Sequence, residues 1–458
     1  MRRAPSRSIQ MPDILTTIPF FRHADPDAAL AYRKDGPVTV RAFCTDIAAL
    51  SRVLPARSYV VNLCTDRYRF AVTFGAALSR GQVSLLLPNK TPALLEQIAA
   101  HYPDVYGLTD STFDGGALPV LAYPEKLPAA AATGAEIPAF PADQLAALVF
   151  TSGSTGMPVP NAKIWGALAR SAIAAGDALG VASIPRAILI GTVPPQHMYG
   201  FESTVLLALQ HGLAFYAGQP FYPADICACL EELPRPRMLV TTPVHLRALL
   251  ADVATPLAVE FLLCATAPLA PQLAIAAEAR FGVPLYEIYG CSEAGQVAQR
   301  RTASSEEWRC FQGIALRQDD TGTWATGAVI PKEVLLNDVI ELRGPERFLL
   351  HGRTADLVNV AGKRTSLAHL NYQINSIDGV RDGVFVMPPE DHGTVTRLIA
   401  FVVAPGLTSQ AVLSELRRRI DPVFLPRPLH RVDSLPRNST GKLPQEAIEK
   451  LAAGFAGR

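Results

Sequence analysis

A loop rich in hydroxyl groups and glycine carries the strongest chemical signal in the chain. Its members are Thr151, Ser152, Gly153, Ser154, Thr155 and Gly156, and they follow the apolar run 145–150, which is typical of a buried strand. Such a loop has little side-chain bulk and many N–H and O–H donors, so it can surround phosphate oxygens. Met157 follows Gly156, so the loop lacks the lysine of a Walker A motif. The loop indicates a nucleotide phosphate, with a plain surface turn as the alternative.

Five further groups of chemically active residues follow apolar runs along the chain. They are His197 with Tyr199, Gly200 and Phe201; Thr266, Ala267 and Pro268; Tyr289 and Gly290 with Ser292 and Glu293; Asp338 and Arg353 on either side of a predicted hairpin; and Gly441 with Lys442. Each group alone has a structural alternative. His197 suits a core position, Glu293 a helix cap, Asp338 and Arg353 a surface ion pair, and Lys442 a solvated loop.

The elements that must position these groups alternate between apolar runs and amphipathic stretches. Strands are predicted near 58–63, 81–87, 187–193, 238–242 and 261–265, and helices over 67–79, 202–213, 244–253 and 271–281. This alternation predicts a large α/β domain of several subdomains whose strands are mainly parallel.

The pattern changes near residue 330, where shorter elements begin. Strands are predicted at 334–342, 347–351 and 397–403, with helices over 366–377 and 409–420. We therefore expect a large N-terminal domain over 1–352 and a small, mobile α+β domain over 353–458, with a hinge at 353–356.

Composition narrows the classes of function. The chain has 458 residues, of which 49% are hydrophobic, and its net charge is +1. This balance gives no long-range field toward nucleic acid or a membrane surface, and no apolar run is long enough to predict a membrane-spanning helix. The seven cysteines form no C-x-x-C pair, and the N-terminus lacks the apolar stretch of a secretory signal. We therefore expect reduced cysteines and a cytoplasmic protein.

Taken together, these motifs resemble those of the acyl-adenylating enzymes, which include acyl- and aryl-CoA synthetases, nonribosomal adenylation domains and firefly luciferase. The loop at 151–156 is similar to the phosphate loop of that family, and residues 289–293 to its Tyr-Gly-x-Thr/Ser-Glu motif. Asp338 stands where the ribose-binding Asp lies, Arg353 belongs to a Gly-Arg-x-x-Asp element, and Gly441-Lys442 matches a C-terminal Gly-Lys.

The resemblance implies that a carboxylic acid attacks the α-phosphate of ATP, giving acyl-AMP and pyrophosphate, with Mg²⁺ on the phosphates. It assigns Lys442 to the reacting carboxylate and α-phosphate, Ser292 to the α-phosphate and Glu293 to Mg²⁺. Asp338 and Arg353 would hold the ribose, while Tyr289, Gly290 and the Thr266–Ala267–Pro268 turn would flank adenine. His197, Tyr199, Gly200 and Phe201 would line the acyl pocket, with His197 also acting in catalysis.

Two departures from the family pattern stand out. Val159 occupies the position of the phosphate-loop lysine, and we expect Lys163 to reach back and replace that contact. Past Arg353, the family's acidic or basic hinge residue is Ala355, and its closing lysine is Asn359, which leaves the pivot residue open.

The residues around 158–165 and 336–338 resemble a bacterial subgroup of aryl polyene and xanthomonadin pathways. That resemblance implies a 4-hydroxybenzoate-type acid and transfer to an acyl carrier protein, with CoA as the alternative thiol acceptor. A fatty acid ligase, an adenylate-forming enzyme with a different second step, and a non-catalytic adenylate-binding protein remain open. No nucleic acid partner is expected.

Overall fold

In the computed structural model, the described residues are 17–128, 136–151, 159–252, 258–353, 357–360, 363–387, 398–438 and 441–455. The strands of this part of the chain, numbered β1 to β27 in chain order, are Thr17–Pro19, Ala29–Arg33, Gly36–Thr39, Tyr59–Asn62, Val83–Leu86, Val105–Thr109, Val120–Ala122, Ala139–Pro141, Leu145–Thr151, Val159–Ile164, Ile188–Gly191, Ala214–Tyr216, Arg237–Thr241, Phe261–Cys264, Leu285–Cys291, Gly295–Arg300, Trp308–Cys310, Ile314–Asp319, Gly322–Gly327, Val334–Leu336, Asp338–Leu342, Arg347–Arg353, Leu357–Val360, Lys363–Ser366, Asp382–Val386, Ile399–Val403 and Leu429–Arg431.

The α-helices are numbered α1 to α12 in the same way. They are Val40–Val53, Arg67–Ser79, Pro92–His101, Trp165–Leu179, Met198–Gly200, Leu207–His211, Pro223–Glu232, Pro243–Asp252, Pro271–Phe281, Leu367–Asn375, Ser409–Arg419 and Gln445–Phe455. A π-helix, Phe201–Leu206, joins α5 to α6. The helix predicted over 202–213 therefore exists, but its first half is wound more loosely than an α-helix.

Two large sheets form the body of the fold. The first has six strands in the order β10-β9-β5-β4-β6-β7, and the second has eleven in the order β21-β22-β17-β16-β15-β14-β13-β11-β12-β2-β3. The strands from β15 to β2 are parallel to one another, and so are β9, β5, β4, β6 and β7. The prediction of parallel strands holds for the centre of each sheet, while β10, β16, β17, β21, β22 and β3 are antiparallel additions.

Buried apolar strands and helices explain this layering. Helix α2 begins at the cap Asp66, whose side chain accepts the Arg69 backbone N–H, and nearly all of its residues are buried. Such a helix is covered on all sides, so the sequence between its ends lacks an exposed polar face.

The strand predicted at 334–342 breaks into β20 and β21, which lie in different sheets.

The C-terminal elements have their own core. One apolar cluster draws all its buried members from the segment between Val358 and Leu425, around strands β25 and β26 and helices α10 and α11. This separate core supports the predicted division at 352/353, which stays a prediction. Contacts join the two parts: Arg247 of α8 lies 4.0 Å from Asp382 of β25.

Three further findings concern the cysteines, the lengths of the helices and groups of possible metal ligands. All seven cysteines are described and free, as predicted. No helix among the described residues is long and apolar enough to cross a membrane. Within the same residues, no three His, Cys, Asp or Glu side chains are grouped as a metal-binding cluster would require.

Candidate active site

The candidate residues gather where the parallel strands of the larger sheet end. His197 follows β11, Thr266 follows β14, and Ser292 with Glu293 follows β15. These three strands belong to the parallel part of one sheet, so their carboxyl ends share an edge. Ligands of open α/β sheets bind at such an edge.

The phosphate loop is described only at its two flanks. Ser152, Gly153, Ser154, Thr155 and Gly156 lie outside the described residues, and their role stays a prediction. Thr151 ends β9, and Val159 begins β10 as its Cα partner across the antiparallel pair. Val159 is 51% exposed, so the residue in the family's lysine position presents an apolar side chain to solvent.

Lys163 lies further along β10 and points away from solvent. It is 7% exposed, and its Nζ donates to the Glu293 carbonyl oxygen at 2.6 Å. Burial lowers the pKa of Lys163, and the nearby Glu202 carboxylate partly offsets this effect by raising it. The ammonium is thus directed at the turn after β15, and its predicted contact with phosphate stays a prediction.

Ser292 and Glu293 lie in the turn between β15 and β16, which we call the acidic turn (residues 292–294). Ser292 is partly buried and Glu293 is exposed. Gly290 precedes the turn at an irregularity of the strand pair, and a Cβ there would lie 2.3 Å from the Gly295 carbonyl oxygen. The turn is therefore a tight β-hairpin, not a helix start, and it presents a hydroxyl and a carboxylate together.

Tyr289, Asp338 and Arg353 come together across three strands. The Tyr289 hydroxyl donates to Asp338 Oδ2 at 2.7 Å, and Asp338 and Arg353 are Cα partners in the antiparallel pair β21–β22. The hairpin that was predicted to bring the acid and the base opposite each other is present. The Tyr289 ring packs against Trp308 and Phe348 at centroid distances of 5.7 and 5.5 Å, so its stacking on adenine stays a prediction.

The turn with Thr266, Ala267 and Pro268 has an unusual backbone. Thr266 adopts φ 84°, a left-handed conformation that is rare for a β-branched residue and is found mainly at functional sites. Behind it, the Leu269 N–H donates to Glu287 Oε1 at 3.0 Å. Glu287 also accepts from Arg300 Nε at 2.8 Å and Thr302 Oγ1 at 2.7 Å. A buried carboxylate on β15 thus holds the strained turn.

His197 caps the short helix α5, and its Nδ1 accepts the Tyr199 backbone N–H at 3.3 Å. Burial, together with the positive charge of Lys442, lowers the pKa of His197 to about 3. The ring is therefore neutral near pH 7 and, with Nδ1 accepting, carries its proton on Nε2. The role of His197 beside the acyl group stays a prediction, as does the alternative of a satisfied core histidine.

The neighbours of His197 serve mainly as its support. The Tyr199 hydroxyl lies 3.1 Å from the carbonyl oxygens of both Thr241 and Leu263, at the ends of β13 and β14. A Cβ on Gly200 would lie 2.1 Å from the Pro194 carbonyl oxygen. Phe201 is fully buried against Phe74, with ring centroids 4.9 Å apart. The place of these residues in an acyl pocket stays a prediction.

Lys442 enters the site from the C-terminal part, on what we call the lysine turn (residues 437–438 and 441–442). The Asn438 side chain accepts the Lys442 N–H at 2.9 Å, and an Arg437 nitrogen donates to the Gly441 carbonyl at 2.9 Å. Gly441 has φ 77°, and a Cβ there would lie 3.1 Å from Val244 on α8. Only glycine allows this close approach, which brings Lys442 to the His197 side of the site.

Two buried residues near the site were not found from the sequence. Arg67 is completely buried, and its guanidinium donates to the carbonyls of Gly191 and Val193 after β11 and of Tyr216 and Gly218 after β12. It holds the segment leading to His197, and burial lowers the pKa of Arg67 to about 10. The second is Glu202, which is 3% exposed on the π-helix. A charged residue at the start of a largely apolar segment could have marked Glu202, whereas Arg67 stands between Asp66 and Arg69 and carries no such signal.

Comparison with known proteins shows which proteins the chain is similar to in sequence and in fold. A model of the family described as AMP-binding enzyme matches residues 65–331, more than half of the chain. A 4-coumarate–CoA ligase from Rhodobacter capsulatus is 29% identical over 272 residues, which are 59% of this chain and 66% of that protein. A second 4-coumarate–CoA ligase, from Halorhodospira halophila, is 28% identical over 64% of this chain and 73% of its own length.

A solved structure extends the likeness to nearly the whole fold. The o-succinylbenzoate CoA synthetase of Bacillus subtilis, in complex with its acyl-adenylate intermediate, superposes with a TM-score of 0.78 at 18% identity. The superposition covers 95% of this chain and 99% of that one. The predicted fold class is confirmed.

Proposed function

The chain belongs to the AMP-binding enzyme family, and from that premise we propose that it converts an aromatic carboxylic acid, of the 4-hydroxybenzoate kind, to its acyl-AMP. The acyl group is then transferred to a thiol, either CoA or the phosphopantetheine of an acyl carrier protein. The predicted enzyme class, an AMP-forming acid–thiol ligase with ATP and Mg²⁺ as cofactors, is that of the family.

The observation that carries the proposal is the packing of Gly441 beside Val244 and Thr242, at the end of β13, together with the effect of the Lys442 charge on His197. Adenylation joins two anions, a carboxylate and a triphosphate, so the barrier depends largely on repulsion and positioning. A lysine brought beside the acid-binding edge neutralises charge where it accumulates. The neutral His197 next to it offers a donor at Nε2 without adding a second full charge.

The donors on the other side suit the nucleotide. The Asp338 carboxylate, oriented by the Tyr289 hydroxyl, is a strong acceptor for the two hydroxyls of a ribose. The acidic turn supplies a hydroxyl and a carboxylate to the phosphate side. These roles for Asp338, Arg353, Ser292 and Glu293 are part of the proposal.

The acidic turn also fits Mg²⁺. The ion prefers oxygen ligands and is usually held by one or two carboxylates together with substrate phosphates, not by a cage of side chains. The described residues hold a single exposed carboxylate, Glu293, on this turn and no cluster of three ligating side chains. Glu293 would orient a bound Mg²⁺, and the ion would supply charge neutralisation at the phosphates.

An aromatic acid is favoured over a fatty acid by the relatives and by the site. Two relatives are named for 4-coumarate, an aromatic acid. The segment after β11 places the His197 imidazole beside Tyr199, whose hydroxyl fixes the ends of β13 and β14. A site edge that is held rigidly by such contacts suits a flat substrate better than a long flexible chain.

One assay tests the proposal. Pyrophosphate release is measured with ATP and Mg²⁺ across benzoates, cinnamates and fatty acids, each with CoA, with a phosphopantetheinylated carrier protein, and with neither. We expect release with a hydroxybenzoate or hydroxycinnamate and thioester formation with one thiol. Release with fatty acids alone would overturn the aromatic assignment, and the absence of release with every acid tested would favour a non-catalytic adenylate binder.

A further inference from the structure

A buried pair of opposite charges lies directly beneath the acidic turn. Lys163, on β10, and Glu202, on the π-helix that follows His197, are 7% and 3% exposed. Burial raises the pKa of Glu202 to about 7, and the nearby Lys163 ammonium opposes that rise. Removing two such groups from water is costly, with an effective penalty of several kcal/mol per ion. Because this desolvation cost is high, we expect the two side chains to have a role in positioning the residues around them.

The two side chains lie against the acidic turn at two points, its middle residue and the residues just past it. Lys163 Nζ donates to the Glu293 carbonyl oxygen at 2.6 Å, at the middle residue of the turn. The Gln296 backbone N–H, just past the turn, and the Ser171 hydroxyl of α4 both favour the charged form of Glu202 and so lower its pKa against the effect of burial. A Cβ on Gly295 would lie 2.9 Å from Glu202 Oε1, so the carboxylate also packs against the backbone that closes the turn.

We propose that Lys163 and Glu202 form an internal clamp that positions Ser292 and Glu293 for the Mg²⁺-bound phosphates of ATP. Both are positioning residues, since neither carries its charged group to the surface of the site. The inference rests on the proposed function, in which Glu293 orients Mg²⁺.

The clamp explains why a valine is tolerated in the phosphate loop. Val159 and Lys163 both lie on β10, but Val159 is 51% exposed whereas Lys163 is buried. The strand thus carries its positive charge beneath the turn and not beside the phosphates. A lysine bound to a backbone carbonyl fixes the geometry of a metal-orienting carboxylate, as outer-shell partners of metal sites do.

The test measures binding of a non-hydrolysable ATP analogue by calorimetry, once with Mg²⁺ and once with EDTA. The variants are Lys163→Met and the double variant Lys163→Met/Glu202→Gln, which leaves no buried charge unpaired and so preserves folding. Glu278→Gln is the matched control. Glu278 accepts the Leu285 N–H at 2.9 Å at the opposite end of β15, so this variant perturbs the same strand away from the acidic turn.

We expect both Lys163 variants to lose roughly 10- to 100-fold of the affinity for the analogue with Mg²⁺, the usual effect of removing an outer-shell partner. Affinity in EDTA, the KM for the acid and the Glu278→Gln variant should change little. An equal loss with Mg²⁺ and with EDTA would overturn the clamp in favour of direct phosphate contact, and no loss in the folded double variant would reduce the pair to a structural role. A wild-type protein that binds the analogue but activates no acid would refute the proposed function. The comparison of variant affinities with Mg²⁺ and with EDTA would still test the clamp.

Discussion

The acidic turn and the lysine turn present opposite charges to one site, but they are anchored differently. The acidic turn of the eleven-stranded sheet lies against the buried Lys163, on β10 of the six-stranded sheet, and the buried Glu202, on the π-helix. The lysine turn is held by Arg437, which forms a bidentate ion pair with Asp382 at 2.7 Å, with side chains 20% and 16% exposed. Buried anchors favour one fixed geometry, whereas partly exposed ion pairs are weaker and easier to exchange.

This difference indicates a site with one fixed side and one side that can be withdrawn. Asp382 also lies 4.0 Å from Arg247 on α8, so the carboxylate that holds the lysine turn also ties it to the large sheet. That arrangement suits a reaction in which Lys442 is required for adenylation and not for the thiol step.

The largest effect is expected from Lys442→Ala. Loss of a charge that stabilises the transition state should lower pyrophosphate release roughly 10²- to 10³-fold, as for other preorganised donors. Thioester formation from supplied acyl-AMP should continue at nearly the wild-type rate. The two half-reactions are measured separately, and an equal fall in both would contradict the idea that this turn serves only one of them.

A smaller effect should follow from Asp338→Asn, on the fixed side of the site. A lost charge-assisted hydrogen bond of about 1.5–3 kcal/mol corresponds to roughly 10- to 100-fold in the KM for ATP. Tyr289→Phe, which removes only the hydroxyl that orients Asp338, is the matched control and should change the KM for ATP by less. If Tyr289→Phe had the greater effect, the Tyr289 hydroxyl and not the carboxylate would be the main ribose-side determinant.

Asp382→Asn tests the anchor of the lysine turn directly. The variant weakens the contacts to Arg437 and Arg247, and we expect adenylation to fall about 10-fold, within the range for a lost charged hydrogen bond. The rate from supplied acyl-AMP should be unchanged or higher. Glu415→Gln, which removes an exposed ion pair with Arg418 on α11, controls for a general change in the C-terminal part. Equal slowing of both steps would argue against a releasable anchor.

The smallest expected effect is on the free energy of unfolding at acidic pH, and it depends on His245 of α8. Burial lowers the pKa of His245 to about 4, and its Nδ1 lies 2.9 Å from Thr242 Oγ1 next to the site. The unfolded chain, with a histidine pKa near 6.5, binds the proton first, so stability is complete above about pH 6.5 and is lost as the pH falls toward 4. Between pH 7.5 and 5.5 this amounts to about 1 kcal/mol.

Urea unfolding at pH 7.5 and 5.5 measures this loss. The His245→Asn variant should lose about 1 kcal/mol less than the wild type over that interval, whatever its absolute stability. An identical loss would mean that His245 does not titrate between the folded and unfolded states as its burial requires. The described part of the lysine turn contains no histidine, so acid in this range should act on it only through global unfolding.

Much of the fold followed from local patterns in the sequence. Helices α2 and α9 occupy the ranges predicted for them, because a cap or a proline marks each start and an apolar face runs through each. The split of 334–342 into two strands was not predicted, because both halves are equally suited to a strand and only sheet pairing separates them. The same holds for the π-helix at 201–206, whose residues read as an ordinary helix.

The order of motifs along the chain determined the family and the enzyme class, because each motif requires particular residue types at fixed positions. The tertiary structure decided how those residues are held. Lys163 and Glu202 are 39 positions apart in sequence numbering and carry no motif, yet the fold brings both to the acidic turn, where Lys163 binds the Glu293 carbonyl and Glu202 acts on the charge of Lys163. Burial and charge pairing depend on which distant segments meet, and one sequence read from end to end does not contain that information in local form.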